Sequence, residues 1–177
     1  MDLARKIGQR LPYLAVAFAL FGLDRWSKLA IEGALPLYSS EPLIPGFLDL
    51  VHARNTGMAF SMLNDAGPLV SEWLLPGISA AAVIFIMGLL WRTDFSDKRL
   101  LAGLTLVLAG AAGNLYDRAV YGFVVDFLDV YVGGWHWPAF NVADACISVG
   151  AGVLLLDAFR KSDAQTAGGR ETQSAQS

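Results

Sequence analysis

Between Gly113 and Ala145 the sequence sets polar and ionisable residues at the ends of two apolar segments. Asn114, Asp117 and Arg118 fall at i, i+3 and i+4, so on a helix they share one face. Asn141 and Asp144 repeat the first interval at the start of the next apolar run, and Asp126 stands between them among Val, Phe and Leu. Carboxylates at the edge of hydrocarbon are expensive; they persist where they are paired, face a cavity or do chemistry. Two carboxyls in one partly dry site cannot both ionise easily, so one keeps its proton near neutral pH. The pair then supplies a base and an acid together, the arrangement that activates water against an amide. Asp126 and Asp144 are the candidates. Val125 and Phe127 flank Asp126, so partial desolvation of its carboxylate is expected, and Asp144 stands about one turn inside its helix. Each residue also has a structural reading. Asn and Asp are good caps, an acid in the first turn of a helix is favoured by the dipole, Asp117 can pair with Arg118, and Asp126 can be a solvated loop acid. Caps alone do not need so many carboxylates in one apolar neighbourhood.

The elements that must position these residues follow from composition. Of 177 residues, 55% are hydrophobic and 16% charged, with a mean hydropathy of +0.47. That is too apolar for an ordinary soluble domain, in which about a quarter of residues are charged. The chain opens with Arg5, Lys6 and Arg10 before an apolar run from Leu11 to Leu23. This start resembles a secretory signal, but no small-residue cleavage site follows, and Asp24, Trp26 and Lys28 continue with helical spacing to Ile31. It reads as an uncleaved first membrane helix over about 11–31, with Asp24 and Lys28 as a local i,i+4 salt bridge. Trp73 to Trp91 carries no charge, about 28 Å of helix and enough to cross hydrocarbon. Further spans are expected over about 99–118 and 142–160, the second span covering 69–91. Gly103, Gly110 and Gly113 allow close helix approach. Residues around 42–62 and 121–138, rich in Pro, Gly, strand formers and aromatics, read as an extramembrane β-rich platform. Within it, Asn55 two residues before Gly57 suggests a tight turn. The expected fold is an all-α membrane protein of four transmembrane helices with this small platform. Residues 1–162 form one domain, and the polar stretch 163–177 a disordered tail.

Arg5, Lys6, Arg10, Arg92, Lys98, Arg99, Arg160, Lys161 and Arg170 fall on one side of a four-span chain. The excess of basic residues puts both termini in the cytoplasm. Asp24, Asn55, Asn114, Asp117, Asp126, Asn141 and Asp144 then share one depth at the outer edge of the membrane. A net charge of −3 and the lack of a basic run argue against nucleic acid as a partner. One cysteine, Cys146, permits no internal disulfide. His52 and His136 stand in no metal-ligand spacing, so neither a metal nor a cofactor is expected. Intramembrane acids can also mark a proton or ion pathway. A transporter would place them at several depths, whereas here only Asp157 departs from the cluster. A structural subunit whose acids merely pair with bases is the third class.

The ordered motifs Asp24-x-x-x-Lys28, Asn55-x-Gly57-x-Ala59-Phe60, Gly113-Asn114-x-x-Asp117-Arg118, Val124-x-Asp126-Phe127 and Phe140-Asn141-x-Ala143-Asp144 resemble those of the bacterial lipoprotein signal peptidases, or signal peptidase II. The resemblance spans about residues 11–160. It implies an aspartic endopeptidase of the inner membrane with Asp126 and Asp144 as the catalytic pair. It implies Asn55, Asn114, Arg118 and Asn141 lining the site, with Asp117, Asp24 and Lys28 in support. The implied substrate is a diacylglyceryl-modified prolipoprotein, cut before its lipidated cysteine. Membrane lipid and this precursor are the expected partners, and a monomer is expected. Asp129 matches no motif.

Overall fold

The computed structural model describes residues 3–57 and 73–174. Ala59 and Phe60 of the second motif, residues 58–62 of the expected platform, the first residues of the span drawn from 69 and the last three of the tail lie outside the described residues. The chain runs α1 (Leu3–Ala34), β1 (Ser40–Ile44), β2 (Leu48–Asn55), α2 (Leu75–Arg92), α3 (Lys98–Tyr121), β3 (Val124–Val132), β4 (Trp135–His136) and α4 (Val142–Ser174). Among the described residues three helices are long and apolar enough to cross a membrane: Leu75–Arg92, Lys98–Tyr121 and Val142–Lys161, with hydropathies of 1.7, 1.3 and 1.8. α1 is longer, at 32 residues, but Arg10 and the group Asp24, Arg25 and Lys28 confine its uncharged run to 11–23. The chain is thus a multi-span helical membrane protein with a small antiparallel sheet. α4 continues in helical form beyond 162, the boundary expected from composition; extending an existing helix needs no new nucleus.

α3 lies at the centre and packs against α1, α2 and α4. The α3–α4 contact is close because glycines face it. A Cβ on Gly110 would lie 2.2 Å from the Ala143 carbonyl oxygen, and one on Gly113 would lie 2.7 Å from Asp24 Oδ2. α2 enters with Pro76 in its first turn, where a missing N–H costs nothing. α3 stops at Gly122, whose positive φ of 77° lets its N–H return to the Arg118 carbonyl. α1 buries Arg10, Ala17, Asp24, Lys28 and Ile31, one stripe at spacings of seven, seven, four and three. Its apolar half packs with Leu90, Leu101, Leu104 and Leu108 of α2 and α3. Outward faces carry Phe18, Trp26, Ile84, Phe85, Leu155 and Phe159 exposed, as expected of helices whose surroundings are lipid chains.

The sheet has the order β1-β2-β3-β4, with antiparallel pairing throughout. The β2–β3 register shifts between Leu50 and Ala53, after which Ala53 faces Asp126 and Asn55 faces Val124. Val124 to Phe127 are buried where β3 meets the helices. Strand alternation then divides them. Val125 and Phe127 join Ile31 in a cluster flanked by Leu35 and Leu50, while Val124 and Asp126 face a cleft on the other side. The neighbours expected to desolvate Asp126 thus point away from its carboxylate.

Candidate active site

Asp126 and Asp144 line one cleft of about 620 Å³, bounded by Asn55 of β2, Ile78 of α2, Asn114 and Arg118 of α3 and Val149 of α4. The two carboxylates come from separate elements, and Asn141 joins them. It precedes the first residue of α4, and its Oδ1 accepts the Asp144 backbone N–H at 3.0 Å. Its own backbone N–H donates to Asp144 Oδ2 at 3.3 Å, completing a capping box. The NH2 group left over donates to Asp126 Oδ1 at 2.8 Å. The capping reading of these residues is therefore correct as far as it goes, and the amide that caps the helix also holds the second carboxylate.

Two further amides complete the shell. Asn55 ends β2, where its Oδ1 accepts the Gly57 N–H at 3.0 Å, the expected turn. Its Nδ2 donates to Asp126 Oδ2 at 3.0 Å. Asn114 of α3 donates from Nδ2 to Asp144 Oδ1 at 2.8 Å. Each oxygen of each aspartate thus accepts one N–H, three of the four from side-chain amides. Asp126 is 4% exposed. Burial pushes its carboxyl up to about 6, and the Asp144 charge adds to that; the Asn55 and Asn141 amides and the Lys28 charge oppose it.

Behind Asn114 lies a buried ionic cluster. Lys28 Nζ donates to Asp24 Oδ2 at 2.8 Å and to Asn114 Oδ1 at 3.1 Å, and pairs with Asp117 Oδ2 at 2.7 Å. Asp24 accepts the Ala143 N–H of α4 through its other oxygen at 2.8 Å. Arg25 closes the cluster on Asp117 Oδ1 and stacks on Tyr116 and Tyr121. The local Asp24–Lys28 bridge is present, but it belongs to a network joining α1, α3 and α4. The Asp117–Arg118 pair is not formed. Adjacent helical residues point in different directions, so Asp117 turns to Lys28 and Arg25. Arg118 turns into the cleft, where its Nη2 donates to the Gly57 carbonyl at 3.0 Å.

The polar residues of the motifs lie in the cleft or in the cluster behind it, except that Asn141, expected to line the site, is fully buried beneath the two aspartates because capping α4 and holding Asp126 use its amide. Arg25 belongs to this cluster without matching any of the motifs. Its signal was present, a cation beside Asp24 in an apolar helix, but local spacing could not show that its partner lies 92 positions away. The histidines go elsewhere: His52 to the Leu35 carbonyl and His136 to Asp129.

Residues 16–160 match the family model for signal peptidase (SPase) II. The chain belongs to this family. It is 46% identical over 148 residues to a lipoprotein signal peptidase of Solibacter usitatus, covering 82% of this chain and 88% of that protein. Proteins of the same name from Cupriavidus taiwanensis and Alteromonas mediterranea are 44% and 39% identical over 157 and 163 residues. They cover 87% and 92% of this chain, and 87% of each relative. A solved bacterial membrane enzyme superimposes with a TM-score of 0.74 at 25% identity, covering 85% of this chain and 89% of that one. The protein is thus an enzyme of the signal peptidase II class.

Proposed function

We propose that Asp126 and Asp144 are the catalytic pair of this signal peptidase. They cut the signal peptide from diacylglyceryl-modified prolipoproteins just before the lipidated cysteine. The observation that carries this is the meeting of two carboxylates in one cleft, each desolvated or capped by protein groups and linked through Asn141. One carboxylate takes a proton from water, and the resulting hydroxide attacks the scissile carbonyl carbon. The protonated partner hydrogen-bonds to the carbonyl oxygen as charge develops there. Collapse breaks the C–N bond, and the proton taken from water goes to the leaving nitrogen. The Asn55 and Asn114 amides and Arg118 border the space where an extended peptide would lie. The α2 and α4 walls, with Ile78 and Val149, offer an apolar path for acyl chains.

We further infer four spans with both termini in the cytoplasm of the inner membrane and the cleft at the outer face, α1 being the fourth span. The distribution of basic residues supports this. Burial of Asp24 and Lys28 within the bundle removes the charges that lower the apolarity of α1. Both carboxylates and the three amides that hold them come from one chain, which supports a monomer, with residues 1–162 as the peptidase domain and 163–177 as a cytoplasmic tail. A proton pathway is less well supported. Asp157 is held by Lys161 at 2.8 Å, and residues 145–156 between it and Asp144 include no acid or base beyond Cys146.

Incubation of the purified protein with a diacylglyceryl-modified prolipoprotein tests the reading. Asp126→Asn and Asp144→Asn should each remove nearly all cleavage while substrate still binds, and the double variant should be little worse than either. Asp129→Asn should be mild, since that residue serves His136 at the sheet. Cleavage by either dyad variant at a near-normal rate would refute the assignment. So would equal rates on precursors with and without the lipid, because the acyl chains are what position the amide.

A further inference from the structure

All three amides that reach the two aspartates have their orientation set from behind. An Asn side chain offers an oxygen that accepts and an NH2 that donates, so a fixed donor on the oxygen decides which way the NH2 points. For Asn55 the donor is the Gly57 N–H, and for Asn141 it is the Asp144 N–H; both are backbone groups. For Asn114 it is the ammonium of Lys28. Lys28 is fully buried; its ammonium donates to Asp24 and Asn114 and forms an ion pair with Asp117. An ammonium has no acceptor capacity, so Asn114 cannot turn its NH2 toward it.

We propose that Lys28, through Asn114, is a positioning residue for the reaction: it compels the Asn114 amide to donate to Asp144 and so makes Asp144 the member of the pair that stays ionised and activates water. This rests on the assignment of Asp126 and Asp144 as the dyad. Asp144 Oδ1 receives the Asn114 NH2 and Oδ2 receives the Asn141 backbone N–H; Asp126 likewise accepts two donors, so two other geometric facts separate the pair. Asp144 also lies in the first turn of α4, where a negative charge is favoured. Asp126 sits on a strand, is the more buried of the two, and has no helix terminus to offset its charge. It is the acid.

The charged groups around this chain of contacts are few. Lys28 faces Asp24 of its own helix and Asp117 of α3, the latter shared with Arg25. Asp144 shares its cleft with Asp126 of β3 and Arg118 of α3. Two acids and two bases make the cluster behind Asn114 neutral, so its influence on Asp144 travels through the amide and not as a net field.

The experiment measures the pH dependence of kcat/KM for full-length protein in lipid nanodiscs with diacylglyceryl-modified prolipoprotein as substrate. The acid limb reports the base of the free enzyme. Asp24→Asn/Lys28→Met frees the amide to turn while the cluster stays neutral, and Asn114→Ala removes it. Each should move the acid limb upward by about one pH unit, the size expected when a carboxylate loses one good donor. Made in the Asn114→Ala background, Asp24→Asn/Lys28→Met should move it no further, because the relay is already gone and the cluster stays neutral. An equal shift in both backgrounds, or no shift in either, overturns the proposal. Where that pair does not accumulate as folded protein, Asp117→Asn/Lys28→Met also keeps the cluster neutral and makes the same comparison. An inactive Asp144→Asn beside an unmoved acid limb in the Lys28 variant refutes the relay alone. An active Asp144→Asn refutes the dyad itself.

Discussion

Asp126→Asn separates the electrostatic cost of the site from its chemistry. Burial, then the neighbouring Asp144 charge, lifts the Asp126 carboxyl from its ordinary 3.8 to about 6. A group with a raised folded pKa binds its proton more tightly when folded. The folded state is therefore favoured least at high pH, and stability falls as pH climbs from about 4 through about 6. Roughly two units at about 1.4 kcal/mol each make a penalty of about 3 kcal/mol, fully present above about pH 7 and absent below about pH 4. Asn carries no charge at any pH and escapes it. The substitution has an offsetting cost, because a second NH2 at position 126 must face the donating amide of either Asn55 or Asn141. That donor clash costs about 1–3 kcal/mol, but it does not vary with pH. The slope is therefore the diagnostic. Unfolding in detergent of wild type and variant, measured side by side between about pH 4 and pH 8, should swing by about 3 kcal/mol in favour of the variant as pH rises. Cleavage should be lost at every pH. Parallel stability curves would refute the claim that Asp126 is held in a desolvating site, whatever the activity result.

Other expectations follow from single contacts. Asn55→Ala removes one donor from Asp126 and should lower kcat by roughly 10- to 100-fold while the protein stays folded, measured as turnover of modified prolipoprotein. Gly110→Ala places a methyl against the Ala143 carbonyl and should destabilise by about 1–3 kcal/mol, with turnover falling as α4 moves Asp144; thermal unfolding and activity together check it. Reporter fusions after Gly133 should read as extracytoplasmic and those after Asp97 as cytoplasmic. An outside signal at Asp97 would remove the four-span arrangement.

Read alone, the sequence carried the class of molecule, the order of the helices, the ends of α3 to within a few residues, the platform strands and the polar residues of the cleft, while α1 and α4 extend well past the uncharged runs that marked them. Each of these rests on a short-range signal. Uncharged length marks α2, α3 and the apolar part of α4, strand-forming residues mark β2 and β3, and ordered polar motifs mark the site. What each polar residue does was decided only in three dimensions. Asp24 and Lys28 read as a local pair, yet the lysine reaches Asp117 and Asn114 across the bundle. Asp117 and Arg118 read as partners, yet successive helical positions point apart, one into the ionic cluster and the other into the cleft. Asn141 read as a cap or as a residue lining the site, and it proves to be a buried cap whose spare donor grips Asp126. The two aspartates lie 18 positions apart on a strand and a helix, and spacing alone cannot say that they meet. The β2–β3 register, the alternation that turns Asp126 away from Phe127, and the glycine contact that draws α4 onto α3 bring them together, because direction and distance across a packed bundle are set by tertiary contacts that no local pattern records.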